Sequence, residues 1–206
     1  VRRLKIKCLM LDVDGVLVFG RPTDGQHWMV GLLDDLGISP RDLAREFIRA
    51  EWQSVVIGQK ELMPTLREAL IKIGTDVSAE TLVSYWYEQS SRVVPDVLAD
   101  VRDARCRGIP VYLATNQSYS RADYLLNKVG LNSEIDGVVY SAMAGHQKPD
   151  AGFYRFAEER AGYNPDELLL VDDKLENVEA AISAGWNGVH WSDGDSLTEI
   201  LKRHIG

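Results

Sequence analysis

The strongest constraint on this chain lies in its first twenty residues. An apolar run from Cys8 to Leu11 meets two carboxylates, Asp12 and Asp14, then Gly15, before apolar residues resume at Val16 and Leu17. A short apolar run closed by a turn signal reads as a buried strand, here about Lys5 to Asp12. Acids at the end of such a strand need a partner, because an unpaired buried charge is very costly. A metal ion would supply one, and Gly15 lets the chain turn sharply beside them.

Beyond that strand the rhythm changes twice. Gly15 to Gly25 reads as loop, and His27 to Arg92 reads as a helical insertion of four helices. Ser39 before Pro40 is a helix start, with an N-cap and a proline at the first helical position. Leu62, Leu66, Ala69, Leu70 and Ile73 recur at spacings of three and four, and Ser78 caps a further helix carrying Leu82, Tyr85 and Trp86. After Pro95, helices alternate with short apolar strands: helix 96–107, strand 109–114, helix 120–129, strand 137–140, helix 151–161, strand 168–171, helix 175–184, strand 187–190 and helix 196–202. Such alternation implies right-handed crossovers and an α/β fold, a doubly wound parallel sheet of about five strands covered on both faces. The expected division is a core of residues 1–18 and 93–206 with 19–92 inserted, and 206 residues suffice for both.

In open parallel sheets, ligands collect beyond the carboxyl ends of the strands. Asp12 and Asp14 follow the first strand, Thr115 and Asn116 the second, Lys148-Pro149-Asp150 the third, and Asp172 and Asp173 the fourth, with Asn177 a turn later. Asp150 is expected mainly as an N-cap. Each signal is weak alone; their joint placement along one edge is strong.

In the order and spacing of these four groups, the chain resembles the haloacid dehalogenase (HAD) superfamily of hydrolases, in the phosphatase-like branch with a small helical (C1-type) cap. The resemblance implies a Rossmann-like sheet with the first strand at its centre. It implies Mg²⁺-dependent hydrolysis of a small-molecule phosphate monoester through an aspartyl-phosphate. Asp12 would be the nucleophile, Asp14 the general acid and base, and Lys148 the counter-charge. Thr115 and the Asn116 backbone would hold phosphate oxygens. Asp12, the backbone carbonyl of Asp14, and Asp173 would bind the metal, with Asp172 and Asn177 acting behind these ligands or through water. A phosphomutase or a 2-haloacid dehalogenase using the same aspartate, and a non-catalytic regulator binding a metabolite or partner, are the alternatives. Asp14 weighs against the dehalogenase, since a halide leaving group needs no proton.

With 23 basic and 31 acidic residues, the net charge of −8 argues against nucleic acid or an acidic membrane as partner. The partner expected is a small phosphorylated substrate, and nothing in the pattern sets an oligomeric state. Cys8 and Cys106 form neither a disulfide framework nor a zinc pattern and are expected as buried reduced thiols. With no apolar segment of spanning length, a cytoplasmic protein is expected. The four histidines lack metal spacing, and His146 is expected as an ordinary loop histidine. Arg21 is expected as a solvated loop residue. Among the tryptophans of the insertion, Trp28 near the first hinge is the candidate for a substrate pocket.

Overall fold

β1, Cys8–Leu11, has every residue buried and lies at the centre of a five-stranded parallel sheet. The computed structural model describes residues 6–192 and 194–205, so the expected strand start at Lys5 lies outside the described residues. The other strands are β2 (Val111–Thr115), β3 (Gly137–Tyr140), β4 (Leu168–Asp172) and β5 (Asn187–His190), in the order β3-β2-β1-β4-β5. Leu9 pairs with Val111 on one side and Leu169 on the other.

Side chains alternate across the sheet. Leu9, Leu11, Val111, Leu113, Leu169 and Val171 face one layer, with Val101 and Ala104 from one helix and Leu197 and Leu201 from the last. Cys8, Met10, Ala114, Leu168 and Leu170 face the other, against Phe153, Tyr154, Ala157 and Ala181. The sheet is thus apolar on both faces, as parallel strands covered by crossover helices require. Burial in that second layer pushes the Cys8 thiol up to about 12. Cys106, expected to be buried, is instead exposed, because it ends its helix on the solvent side.

The inserted residues build a separate apolar cluster around Leu43, Phe47, Leu66, Leu70 and Leu82. They form five helices, not the four expected: α1 (Leu32–Leu36), α2 (Pro40–Leu43, widened into a π turn over Ala44–Ile48), α3 (Trp52–Val56), α4 (Leu62–Ile73) and α5 (Ala79–Gln89). The short α1 and α3 span too few turns to show a helical period. Ser39 and Ser78 cap α2 and α5 as expected, accepting from the N–H groups of Asp42 and Thr81. The chain leaves and re-enters the sheet side by side: Val94 N–H donates to Leu17 O, and Phe19 N–H to Arg92 O, both at 2.9 Å. The core helices follow as α6 (Pro95–Cys106), α7 (Tyr119–Asp123), α8 (Ser141–Ala144), α9 (Ala151–Ala161), α10 (Leu175–Ser183) and α11 (Leu197–Ile205). Among the described residues, no helix is long and apolar enough to cross a membrane.

Candidate active site

The loops after β1, β2, β3 and β4 converge at one edge of the sheet. Asp12 follows β1 directly, and its N–H donates to Val171 O at 2.9 Å, which sets it beside the end of β4. Asp172, the last residue of β4, is wholly buried. Between them lies the buried ammonium of Lys148, 3.0 Å from Asp12 Oδ1 and 2.5 Å from Asp172 Oδ2. It also donates to the carbonyl of Ala114 at 2.5 Å, which occupies its third N–H.

The supporting bonds explain why Lys148 reaches so far inward. Asn116 Nδ2 donates to Lys148 O at 2.9 Å, and Lys148 N–H donates to Asn116 Oδ1 at 2.8 Å. The Asn116 side chain is therefore committed to placing the lysine. Asp150 caps α9 through Gly152 N–H at 2.7 Å, as expected, and so fixes the far side of the same loop. Asp172 accepts from Lys174 N–H at 2.8 Å and from Asn177 Nδ2, 3.0 Å from each of its oxygens. With Lys148 also bonded, Asp172 acts as a strut between loops, and Asn177 holds it from α10.

Asp173 differs from its neighbour. It is partly buried, and its Oδ1 has no hydrogen-bond partner among the described residues, nor has Asn177 Oδ1. Oxygens of Asp12, Asp172 and Asp173 lie within 4.8 Å of one another. Gly15 brings the first loop against this carboxylate: its φ is +90°, and a Cβ there would collide with the Asp173 side chain. Three carboxylates gather beside one buried lysine that pairs with two of them, an excess of two negative charges when all are ionised. Burial raises the pKa of Asp12 to about 7; Lys148 opposes the shift, while Asp172 and Asp14 add to it. Burial, then Asp172, raises that of Asp173. Burial disfavours charge on Lys148 too, but Asp12 and Asp172 together overcome it and hold its pKa above the usual lysine value. Hard oxygen donors carrying uncompensated negative charge and an orphaned oxygen fit a divalent cation such as Mg²⁺.

Asp14 parts company with Asp12. The turn at Gly15 leaves it exposed, facing the cleft between sheet edge and insertion. Gln117 Nε2 donates to Asp14 Oδ2 at 2.5 Å and to Thr115 Oγ1 at 3.3 Å, tying the general-acid candidate to the phosphate-loop candidate. The guanidinium of Arg121 lies 4.0 Å from Asp14 Oδ1 and donates to Tyr87 O of α5 and to Ser90 O and Ser91 Oγ just after it. The sequence reading missed both residues. Gln117 could have been found, since it sits two positions after Thr115 at the end of a strand. Arg121 could not, because its partners are about thirty residues away.

Asp14, Lys148, Asp173 and Asn177 open onto a cavity of about 860 Å³ between the sheet edge and the insertion. Trp28 lines it, as does Trp52 and Trp86. Arg21 instead pairs with Asp24, and the exposed His146 lies 3.1 Å from Asp150; neither lines the cavity.

The model of the haloacid dehalogenase-like hydrolases matches residues 6–185. The chain belongs to that family. A sesquiterpene phosphatase of Aspergillus oryzae is 25% identical over 202 residues, covering 97% of each chain. A phosphorylated-carbohydrate phosphatase of Thermotoga maritima is 29% identical over 156 residues, covering 69% of this chain and 70% of its own. The fold is shared with a HAD-family enzyme of Bacteroides thetaiotaomicron solved with magnesium and inorganic phosphate, at 17% identity and a TM-score of 0.79, over 95% of this chain and 98% of that one. It is shared also with the L-2-haloacid dehalogenase of Xanthobacter autotrophicus, at 18% identity and a TM-score of 0.66, over 98% of this chain and 84% of that one.

Proposed function

We propose that this HAD-family hydrolase is a Mg²⁺-dependent phosphatase acting on a small phosphate monoester through an aspartyl-phosphate on Asp12. Residues 19–92 act as a cap over a core of 1–18 and 93–206. The observation that carries the reading is the cluster of Asp12, Asp172 and the half-buried Asp173, with Lys148 between the first two and Asp173 Oδ1 unpartnered among the described residues. The phosphatase names of the Aspergillus and Thermotoga relatives support it.

Asp12 Oδ1 rests on Lys148, which leaves Oδ2 to attack phosphorus. A bond forms from that oxygen to phosphorus as the ester P–O bond breaks, and Asp14 gives its proton to the departing oxygen. Asp14 then takes a proton from water as that water attacks phosphorus, which frees Asp12 and inorganic phosphate. Lys148 neutralises charge on the nucleophile and phosphoryl group, and Thr115 with the Asn116 backbone holds phosphate oxygens. Gln117 keeps Asp14 over the reacting bond. Asp12, the Asp14 carbonyl and Asp173 would hold Mg²⁺, which when bound draws charge from the phosphoryl oxygens. The presence of Asp14, anchored by Gln117, favours phosphoryl chemistry over halide displacement, which needs no proton donor.

The test is phosphate release from a panel of monoesters with Mg²⁺ and with a chelator, beside halide release from a 2-haloacid. Chelation should abolish turnover, and Asp12→Asn should lower it at least about a thousandfold. Chelator-insensitive turnover, activity retained in Asp12→Asn, or halide release in place of phosphate release would overturn the reading.

A further inference from the structure

The cavity is lined by two unlike sets of residues. One set contains Asp14, Lys148 and Asp173; the other is a wall of aromatic and aliphatic side chains that faces the same space. Trp28 stacks on Trp86, with ring centroids 5.2 Å apart and planes 20° from parallel, and Trp52 meets Trp86 at 5.3 Å and 61°. Phe47, wholly buried in the insertion's own core, braces Trp86 from behind at 6.5 Å. Met29, Ile48 and Val18 add to the apolar lining. Apolar surface lining a concave site contiguous with reacting groups marks a place where a ligand replaces water.

Several polar atoms around that wall are already paired, although Gln53 Nε2, Gln147 Oε1 and His27 Nε2 have no partner among the described residues. Ser90 Oγ donates to Trp86 O at 2.7 Å, and Gln147 Nε2 donates to Gln53 Oε1 at 3.1 Å. His27 Nδ1 accepts from Met29 N–H, and the Arg121 guanidinium is spent on the returning linker and Asp14. At the mouth, the exposed Lys174 and Glu176 carry opposite charges, so the rim offers no net attraction to a second anionic group. A sugar or polyol loses affinity for every hydroxyl taken from water without a partner, whereas an alkyl or prenyl chain needs none. A volume near 860 Å³ lies high in the range of small-molecule sites, far more than a two-carbon ester would fill.

Resting on the phosphatase reading above, we infer that the leaving group is apolar. The substrate class is a monophosphate of a long-chain, prenyl or comparably bulky hydrocarbon alcohol, seated against Trp28, Trp52, Trp86, Met29 and Ile48.

The experiment measures kcat/KM with Mg²⁺ for n-alkyl phosphates from ethyl to octyl, beside phosphoglycolate and glucose 6-phosphate. Binding of the matching n-alkyl phosphonates is followed separately by quenching of tryptophan fluorescence. Each added methylene should raise both quantities about fourfold until the cavity is filled, from about 0.8 kcal/mol per buried CH₂. Octyl phosphate should then exceed both polar esters at least about tenfold. Trp52→Ala, and the milder Ile48→Thr in case the first fails to fold, should each reduce the octyl-to-ethyl ratio. Hydrolysis with a flat chain-length profile, preference for glucose 6-phosphate, or a ratio unchanged in both variants would overturn the inference while the phosphatase reading stood. Chain-length-dependent phosphonate binding without phosphate release would keep the apolar site and remove the phosphatase reading. Flat binding with no release would remove both.

Discussion

The floor of the cavity and its wall are built on opposite principles. On the floor, the charged groups other than Asp173 have named partners: Lys148 serves Asp12, Asp172 and Ala114 O, Asn116 holds Lys148, and Asn177 holds Asp172. Moving one member leaves another buried and uncompensated, so the floor behaves as a unit. The wall is a set of stacked rings and aliphatic side chains held by contact area alone. Such contacts are individually replaceable, and cores tolerate exchange when volume is kept. The difference teaches where each kind of change can occur: chemistry is locked at the sheet edge, while the insertion can be reshaped to suit another leaving group without disturbing it.

The largest break of this contrast is at Lys148. Lys148→Met strips the cation from a nearly dry site and leaves Asp12 and Asp172 facing each other. Loss of one partner from a buried pair costs about 3–5 kcal/mol. For a chain of this length that lowers Tm by roughly 10 °C, read by calorimetry, and turnover is lost as well. A loss no larger than that of an exposed lysine would show that the floor is not coupled.

Asp12 should move the other way. Burial holds its pKa near 7, so the folded, metal-free protein binds a proton there that the unfolded chain has released. That contribution is complete below about pH 4 and is lost as pH rises through about 7, so metal-free stability falls across this window. Asp12→Asn should abolish the decline and raise Tm at pH 8 by a few degrees while destroying activity, a trade of stability for function. Equal pH slopes in the two proteins would contradict the placement of this charge. Added Mg²⁺ should narrow the gap by stabilising the natural protein through mass action.

The smallest effect belongs to the insertion. Ser78→Ala removes the side-chain cap of α5 and should cost about 1 kcal/mol, a Tm decrease of about 2–4 °C. Its kcat and pH profile should be those of the natural protein at 25 °C. A shifted pH profile would mean that the insertion is wired into the floor after all.

The acids of the floor were legible before folding because they stand at the ends of strands. Asp12, Thr115 and Asp172-Asp173 follow apolar runs, and a parallel sheet brings the carboxyl ends of its strands to one edge. Cap serines at 39 and 78 were legible for a different reason: they are local devices, satisfied within a few residues. Gln117 was half-visible. Arg121 was not, since nothing near it in sequence tells that it will cross to Tyr87, Ser90 and Ser91.

By itself the sequence determined the alternation of strands and helices and the edge where the acids gather, while Lys148 as their counter-charge was implied by the family resemblance. The first two follow from period, turn chemistry and strand polarity, which are short-range properties. Only the tertiary structure decided that Asp172 is a strut while Asp173 keeps a free oxygen, and that Asp14 turns outward on Gln117. It alone decided that Trp28, Trp52 and Trp86 form one wall of the cavity that Asp14, Lys148 and Asp173 also line. Adjacent acids and scattered tryptophans look alike along a chain; what separates their roles is which neighbours the packing supplies and which atoms it leaves without one.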